Sequence, residues 1–137
     1  MLDFLNMNPL EKYLHWVKQK FNINNLERNI QIKEGEVYWC SLGLNVGDEE
    51  NGKGAGYRRP ILVLKKFNNN IFLGVPLSTK NKNNKYYTKV TLKDTVQSAM
   101  ISQIRIIDTK RLSDKIGYIK KEDLASVKSN ISKMIID

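Results

Sequence analysis

Hydrophobic residues near the N-terminus repeat at helical spacing. Asn8, Pro9 and Glu11 predict a helix start, since Asn caps free backbone N–H groups, Pro suits the first helical position and Glu caps in return. Apolar residues then recur every three or four positions on one face: Leu10, Tyr13, Leu14, Val17 and Phe21. We expect Trp16, at the edge of this stripe, to pack, and His15, which lies off it, to be at the surface.

From Gly35 onward the pattern changes to short β-like segments separated by turn residues. A further short helix is predicted before that, within residues 26–32. The predicted strands are 36–42, 60–67, 71–77, 86–92, a segment within 96–107 that is irregular near Ser102, and 116–119. Asn68 to Asn70 predict a hairpin turn between the second and third strands. Residues 121–135 return to helical spacing and predict a closing helix.

Five or six short, mostly antiparallel strands with helices at both ends predict an α+β domain around a small curled sheet. The chain shows no internal repeat and no clear linker. We expect residues 1–33 to be an N-terminal helical extension packed on a main domain of residues 34–137.

Length and composition exclude several classes of protein. The 137 residues suit one domain, and no segment approaches the roughly 18 consecutive apolar residues that a membrane span needs. The first residues lack the features of a signal peptide, so we expect a cytoplasmic protein. With Cys40 and His15 each the only residue of its type, a metal site would need scattered carboxylates, and we expect neither a metal nor another cofactor.

The positive charge is concentrated in one segment. Residues 51–93 contain ten Lys or Arg and no Asp or Glu, whereas the rest of the chain has 13 basic and 14 acidic residues. Such a concentration favours a polyanionic partner, with nucleic acid the leading candidate because phosphates supply most of the attraction in such complexes. The alternative is a solubilising surface.

Two polar residues within this segment stand at the ends of predicted strands. Arg59 precedes Pro60, which keeps it extended, and Ser78 follows the strand that ends at Leu77. If strands 60–67 and 71–77 pair through their turn, Arg59 and Ser78 become neighbours. A guanidinium beside a hydroxyl offers several donors to a phosphate, although an ordinary basic hairpin end would have the same spacing.

Four ordered blocks of the chain resemble the MazF/PemK toxins, the ribonucleases of bacterial toxin–antitoxin pairs. These blocks are Gly35–Trp39, Arg59–Leu64, Val75–Lys80 and Gln103–Leu112. The resemblance covers about residues 33–135. It implies a small SH3-like, CcdB/PemK-type antiparallel β-barrel with a C-terminal helix, working as a homodimer. It also implies sequence-selective, metal-independent cleavage of single-stranded RNA, leaving 2′,3′-cyclic phosphate and 5′-hydroxyl ends, and a cognate antitoxin as partner.

The resemblance also suggests residue roles. The catalytic Arg of the family falls on Arg59, and its partner Thr falls on Ser78, although Thr79 could provide the hydroxyl instead. PemK-like members carry an Arg and an Asp where this chain has Met100 and Ser102, so those two roles are not transferred. An acid in the loop before Arg59 is a candidate general base, and the sequence does not choose between Glu49 and Glu50.

Further residues are candidates for RNA contact. The set is Tyr57, Arg58, Thr79, Lys80, Lys82 and Gln103, with Lys85 and Lys89 as additional charges and Tyr86 and Tyr87 as additional stacking candidates. Arg105 fits either RNA contact or a buried pair with Asp108. The competing functional class is a non-catalytic interaction protein, such as an RNA-binding module or a gyrase-binding toxin like CcdB, because the same fold serves both.

Overall fold

The computed structural model describes residues 3–137. Two α-helices flank seven strands, which confirms the α+β class. The helices are α1 (Pro9–Asn24) and α2 (Lys121–Ile136). The strands are β1 (Glu36–Ser41), β2 (Arg58–Lys66), β3 (Ile71–Ser78), β4 (Tyr87–Leu92), β5 (Thr95–Met100), β6 (Arg105–Asp108) and β7 (Leu112–Tyr118).

The strands form one antiparallel, strongly curled sheet in the order β4-β5-β3-β2-β1-β7. β6 pairs with the first half of β3, on the edge whose last residues pair with β5. Among the described residues the outer strands β4 and β7 do not pair with each other, so the barrel expected from the family resemblance is not closed.

The segment predicted as one irregular strand is two strands. A 3₁₀ turn at Ile101–Gln103 separates β5 from β6, and Ser102 lies in this turn. Ile101 is buried at the turn, so the chain bends around an apolar anchor. The bend lets β5 and β6 use different parts of the same edge of β3.

The central strands are buried on both faces, which their continuous apolar sequences favour. Alternate residues of β2 and β3 join a cluster beneath α2, formed by residues such as Leu62, Leu64, Val75, Val127 and Ile131. The intervening residues join a second cluster, which includes Tyr38, Ile61, Val63, Phe72 and Ile107. Burying each large apolar side chain contributes on the order of 1.5–3 kcal/mol, so these two clusters hold the sheet that carries the site.

Helix α1 begins where the sequence predicts. Asn8 Oδ1 accepts the Glu11 N–H at 2.9 Å, Glu11 Oε1 accepts the Asn8 N–H at 3.2 Å, and Pro9 occupies the first helical position. The helix packs on the domain through Trp16, which is 5% exposed, as expected for this residue. The predicted apolar stripe points outward instead: Leu10, Leu14, Val17 and Phe21 are each more than half exposed.

The predicted helix within residues 26–32 is wrong. This segment has no regular secondary structure, Ile32 is buried in the second apolar cluster, and Ile30 packs against that cluster. Arg28 donates to the carbonyl oxygens of Lys110 and Leu112, which keeps the segment against the sheet. An apolar alternation of period two and a long-range anchor therefore outweigh the local helical preference.

No described helix has both the length and the apolar character needed to cross a membrane.

Candidate functional site

Arg59 and Ser78 lie at the same end of the β2–β3 hairpin. Arg59 on β2 pairs with Cys40 on β1, and Ser78 is the last residue of β3. The register that pairs Ile61 with Pro76 brings Arg59 opposite Ser78 two residues further along. Both residues line one cavity of about 540 Å³, so strand pairing alone brings together the pair that the sequence singles out.

Three protein acceptors fix the guanidinium of Arg59, which is 8% exposed. Its Nε donates to the Asn51 carbonyl oxygen at 2.8 Å, and Nη1 donates to the Leu77 carbonyl oxygen at 3.3 Å. Nη2 lies 2.6 Å from Glu50 Oε1 in a salt bridge. A guanidinium has five N–H donors, so one N–H on each terminal nitrogen remains for a ligand. Two such donors match the geometry of a phosphate.

Ser78 keeps its proton available. Its Oγ accepts the Lys80 N–H at 3.2 Å, a bond that uses a lone pair of the hydroxyl and not its hydrogen. The hydroxyl can therefore donate to an oxygen of a bound anion. Thr79 also lines the cavity and is more exposed than Ser78.

The loop of residues 43–57 selects one of the two candidate acids. Glu50 reaches Arg59, whereas the exposed Glu49 turns back to accept the Val46 N–H at 2.9 Å within the loop. Gln103 fixes this part of the loop from the opposite side: its Oε1 accepts the Glu50 N–H and its Nε2 donates to the Asp48 carbonyl oxygen, both at 3.1 Å. A carboxylate is thus held next to the free donors of Arg59.

The predicted RNA-contacting residues separate into two groups. Arg58 and Thr79 line the cavity, while Lys80 and Lys82 lie exposed on the chain that leaves β3. The other two residues lie elsewhere. Tyr57 is 1% exposed among aromatic side chains beneath α1, so its ring cannot reach a base, and both polar ends of the Gln103 amide bond the loop backbone.

A buried pair of Arg105 with Asp108 does not form in the part of the chain that the structure describes. The Asp108 carboxylate instead accepts the Lys110 N–H at 2.8 Å and caps a 3₁₀ turn. Arg105 lines a second cavity, of about 610 Å³, together with Glu49 and Glu50. Its guanidinium therefore stands behind the acidic loop and not in the main cavity.

Several residues that line the main cavity are not among the site residues predicted from the sequence, including Trp39, Gln97, Asp114 and Lys53. Trp39 is 40% exposed on β1, the strand next to that of Arg59, and Gln97 and Asp114 line the same cavity. Gln97 Oε1 is buried without a hydrogen-bond partner, an arrangement that costs free energy until a donor reaches it. In the pairing of β1 with β2, Trp39 lies directly across from Pro60, the residue that follows Arg59. This register is the feature that points to Trp39.

The lone thiol is unsuited to covalent chemistry at neutral pH. Cys40 is fully buried in the second apolar cluster, and this burial raises the pKa of its thiol to about 12. A thiolate is the reactive form of cysteine, so Cys40 packs as a small apolar residue. Within residues 3–137 no three His, Cys, Asp or Glu side chains gather closely enough to hold a metal ion.

Comparison with known families identifies the domain. Residues 33–135 match the model of the PemK-like, MazF-like toxins of type II toxin–antitoxin systems. The chain belongs to this family. The match begins after α1, so the N-terminal helix lies outside the part that defines the family. A comparison with curated protein sequences finds no significant match.

Solved structures of MazF proteins share the fold. MazF from Deinococcus radiodurans superposes with a TM-score of 0.67 at 17% identity, covering 81% of this chain and 100% of that chain. A mycobacterial endoribonuclease in complex with its cognate antitoxin gives 0.61 at 14% identity, covering 77% and 95% of the two chains. MazF-mt6 from Mycobacterium tuberculosis gives 0.55 at 13%, covering 73% and 95%. Identities this low establish the common fold.

Proposed function

We propose that this PemK/MazF-family protein is a metal-independent endoribonuclease toxin that cleaves single-stranded RNA at short sequence motifs. The observation that supports this function best is that Arg59 and Ser78 line one open cavity while Glu50 forms a salt bridge with Arg59. Arg59 and Ser78 offer two guanidinium donors and a hydroxyl donor to a phosphate in this cavity, and the Glu50 carboxylate lies 2.6 Å from Arg59 Nη2. The family and the mycobacterial endoribonuclease of the same fold support the same activity.

The proposed reaction uses the nucleophile of the RNA itself. Glu50 removes the proton of a ribose 2′-hydroxyl, whose oxygen forms a bond to the adjacent phosphorus. The free N–H groups of Arg59 and the hydroxyl of Ser78 stabilise the charge that develops on the phosphate oxygens. The bond from phosphorus to the 5′-oxygen then breaks, and this oxygen takes a proton from water in the open cavity. The products are a 2′,3′-cyclic phosphate and a 5′-hydroxyl.

The surface around the cavity suits a single strand of RNA. Lys53 and Arg58 line it and Lys80 lines the adjacent cavity, and their positive charges attract the phosphate backbone. Trp39 presents an aromatic face to an unstacked base, and Gln97 and Asp114 offer hydrogen-bonding groups that discriminate between bases. Because Tyr57 is buried, Trp39 takes the stacking role in this proposal.

The positive charge around the cavity also suggests how the toxin is inhibited. We propose that a cognate antitoxin neutralises the toxin by laying an acidic segment, disordered when free, over this basic groove. The mycobacterial relative is solved with its cognate antitoxin, as is MazF with MazE from Deinococcus radiodurans. The proposed active form is a homodimer.

The test is cleavage of a long single-stranded RNA by the purified protein in EDTA. We expect discrete fragments with cyclic phosphate and 5′-hydroxyl ends, and no cleavage where the ribose 5′ to the scissile phosphate is replaced by 2′-deoxyribose. Cleavage of the deoxy substrate would exclude the proposed nucleophile. Intact RNA would exclude the nuclease and favour a non-catalytic toxin that acts by binding a protein.

A further inference from the structure

Helix α1 lies outside the family-defining segment, yet four of its polar contacts are with the loop that carries Glu50. Tyr13 Oη donates to the Asn45 carbonyl oxygen at 2.8 Å, and Gln19 Nε2 donates to the Ala55 carbonyl oxygen at 2.8 Å. Tyr57, the last residue of the loop, donates its hydroxyl proton to the Lys12 carbonyl oxygen at 3.0 Å. The helix therefore holds the loop at its beginning and at its end.

Tyr57 is the centre of this contact. Its ring lies 5.5 Å from that of Trp16 and 5.6 Å from those of Phe4 and His15, centroid to centroid. The His15 Nδ1 lies 2.8 Å from the Tyr57 hydroxyl oxygen. Because the only hydroxyl proton goes to a carbonyl, which cannot donate, the imidazole N–H donates in this second bond. One phenol thus joins two successive turns of α1 to the loop.

Trp16 adds an apolar contact that only glycine permits. A Cβ at Gly43 would lie 2.2 Å from atoms of the Trp16 ring, and Gly43 has φ +85°, in the region that favours glycine. The Gly43 N–H bonds the Tyr57 carbonyl oxygen at 3.1 Å, and the Gly52 N–H bonds the Gly43 carbonyl oxygen at 2.9 Å. The Trp16 indole therefore packs against Gly43, where backbone hydrogen bonds join the beginning of the loop to Gly52 and Tyr57.

A short chain of hydrogen bonds connects the helix to Arg59. The backbone N–H of Asn45 donates to Asn51 Oδ1 at 2.6 Å, and its side chain donates to the Glu50 carbonyl oxygen at 2.7 Å. Glu50 and Asn51 are the two loop residues that bond the Arg59 guanidinium. Tyr13 holds Asn45 from the helix, so a single residue, Asn45, connects α1 to the two residues that orient Arg59.

The loop needs such support because of its composition. Five of its 15 residues are glycines, and glycine-rich segments lose the most backbone entropy on ordering. Without contacts from outside, a loop of this kind belongs to the segments that open most readily. A displacement of about 1 Å at a catalytic group can reduce a rate on the order of 100-fold, so an ordered loop matters for the chemistry.

We propose that α1 is a positioning element for the reaction: it fixes loop 43–57 so that Glu50 and the Asn51 carbonyl hold Arg59 in register with the scissile phosphate. Tyr13, Gln19 and Tyr57 are positioning residues in this scheme and do not touch the RNA. The inference rests on the proposed nuclease function for its kinetic consequence. Its structural part, the ordering of the loop by α1, is independent of that function.

The test combines three substitutions that cut the polar contacts but keep the apolar packing. In the Tyr13→Phe, Gln19→Ala, Tyr57→Phe variant the aromatic rings remain, and circular dichroism checks the fold. The matched control carries Tyr118→Phe and Gln31→Ala, both at exposed side chains remote from the loop. Hydrogen exchange of the amides of residues 43–57 reports the order of the loop. Steady-state RNA cleavage separates kcat from KM.

We expect loop exchange about tenfold faster in the triple variant, kcat about tenfold lower and KM within about twofold, since binding depends on charges that remain. Restoring Tyr57 alone should recover part of both losses. Unchanged exchange overturns the inference, and so does faster exchange with unchanged kcat. If the wild-type protein cleaves no RNA, the proposed function fails and the kinetic part of the inference fails with it. Faster loop exchange in the triple variant then still supports the ordering of the loop by α1, and unchanged exchange still overturns it.

Discussion

Glu50 Oε1 lies 2.6 Å from Arg59 Nη2, across a loop and a strand that meet only in the folded protein. The contact places a carboxylate beside a guanidinium that keeps two free donors at an open cavity. Neither group alone would be distinctive on so basic a surface. Together with Ser78 they are the residues that we propose carry out cleavage of the phosphodiester.

Glu50→Gln should reduce kcat by about 100- to 10,000-fold, because the substitution removes the base and keeps the shape of the side chain. Glu49→Gln is the matched control, since this neighbour is exposed and bonds only within its own loop. Equal losses in the two variants would show that the loop charge, and not Glu50, matters.

Ser78→Ala should lower kcat with little change in KM, because its hydroxyl is proposed to donate to the phosphate in the transition state. Ser78→Thr, which keeps a hydroxyl, should remain active. Thr79→Ala removes the neighbouring hydroxyl and should leave kcat unchanged. If Thr79→Ala is the inactive variant and Ser78→Ala is active, the donor has been assigned to the wrong residue.

Trp39→Ala should weaken RNA binding by about 5- to 150-fold, which corresponds to the roughly 1–3 kcal/mol that stacking of one base contributes. The protein has two tryptophans, and only Trp39 is substantially exposed, so an uncleavable oligonucleotide should quench its fluorescence. In Trp39→Phe the quenching should disappear. Quenching that persists in this variant would place the base near Trp16 and contradict the groove.

The stability of the fold should decrease in acid, in part through Glu36. Burial opposes ionisation of this carboxyl, but hydrogen bonds from Lys115, the Lys33 N–H and Tyr38 outweigh it and lower its pKa below the ordinary 4.5. Because the pKa of Glu36 is lower in the folded state than in the unfolded state, this carboxylate stabilises the fold at pH values above its unfolded-state pKa. The stabilisation is lost as the pH falls through its folded-state pKa.

The free energy of unfolding should therefore fall as the pH drops below about 4.5, and Glu36→Gln should fall less steeply. Chemical denaturation across this pH range measures the difference. Glu27→Gln, at an exposed carboxyl, is the control and should follow the wild-type slope. A Glu36→Gln slope equal to that of the wild type would show that Glu36 does not contribute to the acid sensitivity.

The sequence predicts most of what depends on local pattern. The β2–β3 hairpin follows from two apolar segments on either side of an Asn-rich turn, and its pairing brings Arg59 to Ser78. The start of α1 follows from its capping residues, and α2 follows from the helical spacing of its apolar residues. These features need only neighbours a few residues apart, which the chain itself displays.

The sequence does not predict what depends on distant partners. Whether Glu49 or Glu50 reaches Arg59 is decided by a loop that Gln103 and α1 hold from outside. Tyr57 is buried by the same helix, and the apolar stripe of α1 points outward because Trp16 takes the inward place. Each of these outcomes depends on contacts between segments that are remote in sequence.

Catalysis by Arg59 is tested most directly by single-turnover cleavage of one RNA, in EDTA, by the wild-type protein and by Arg59→Lys. A lysine side chain at this position would keep the positive charge but lose the planar fork of donors that meets Glu50, Asn51 and the phosphate. We expect cyclic-phosphate products from the wild type and a rate at least about 100-fold lower for the variant, with circular dichroism unchanged. Equal cleavage by the two folded proteins would contradict the catalytic role of Arg59.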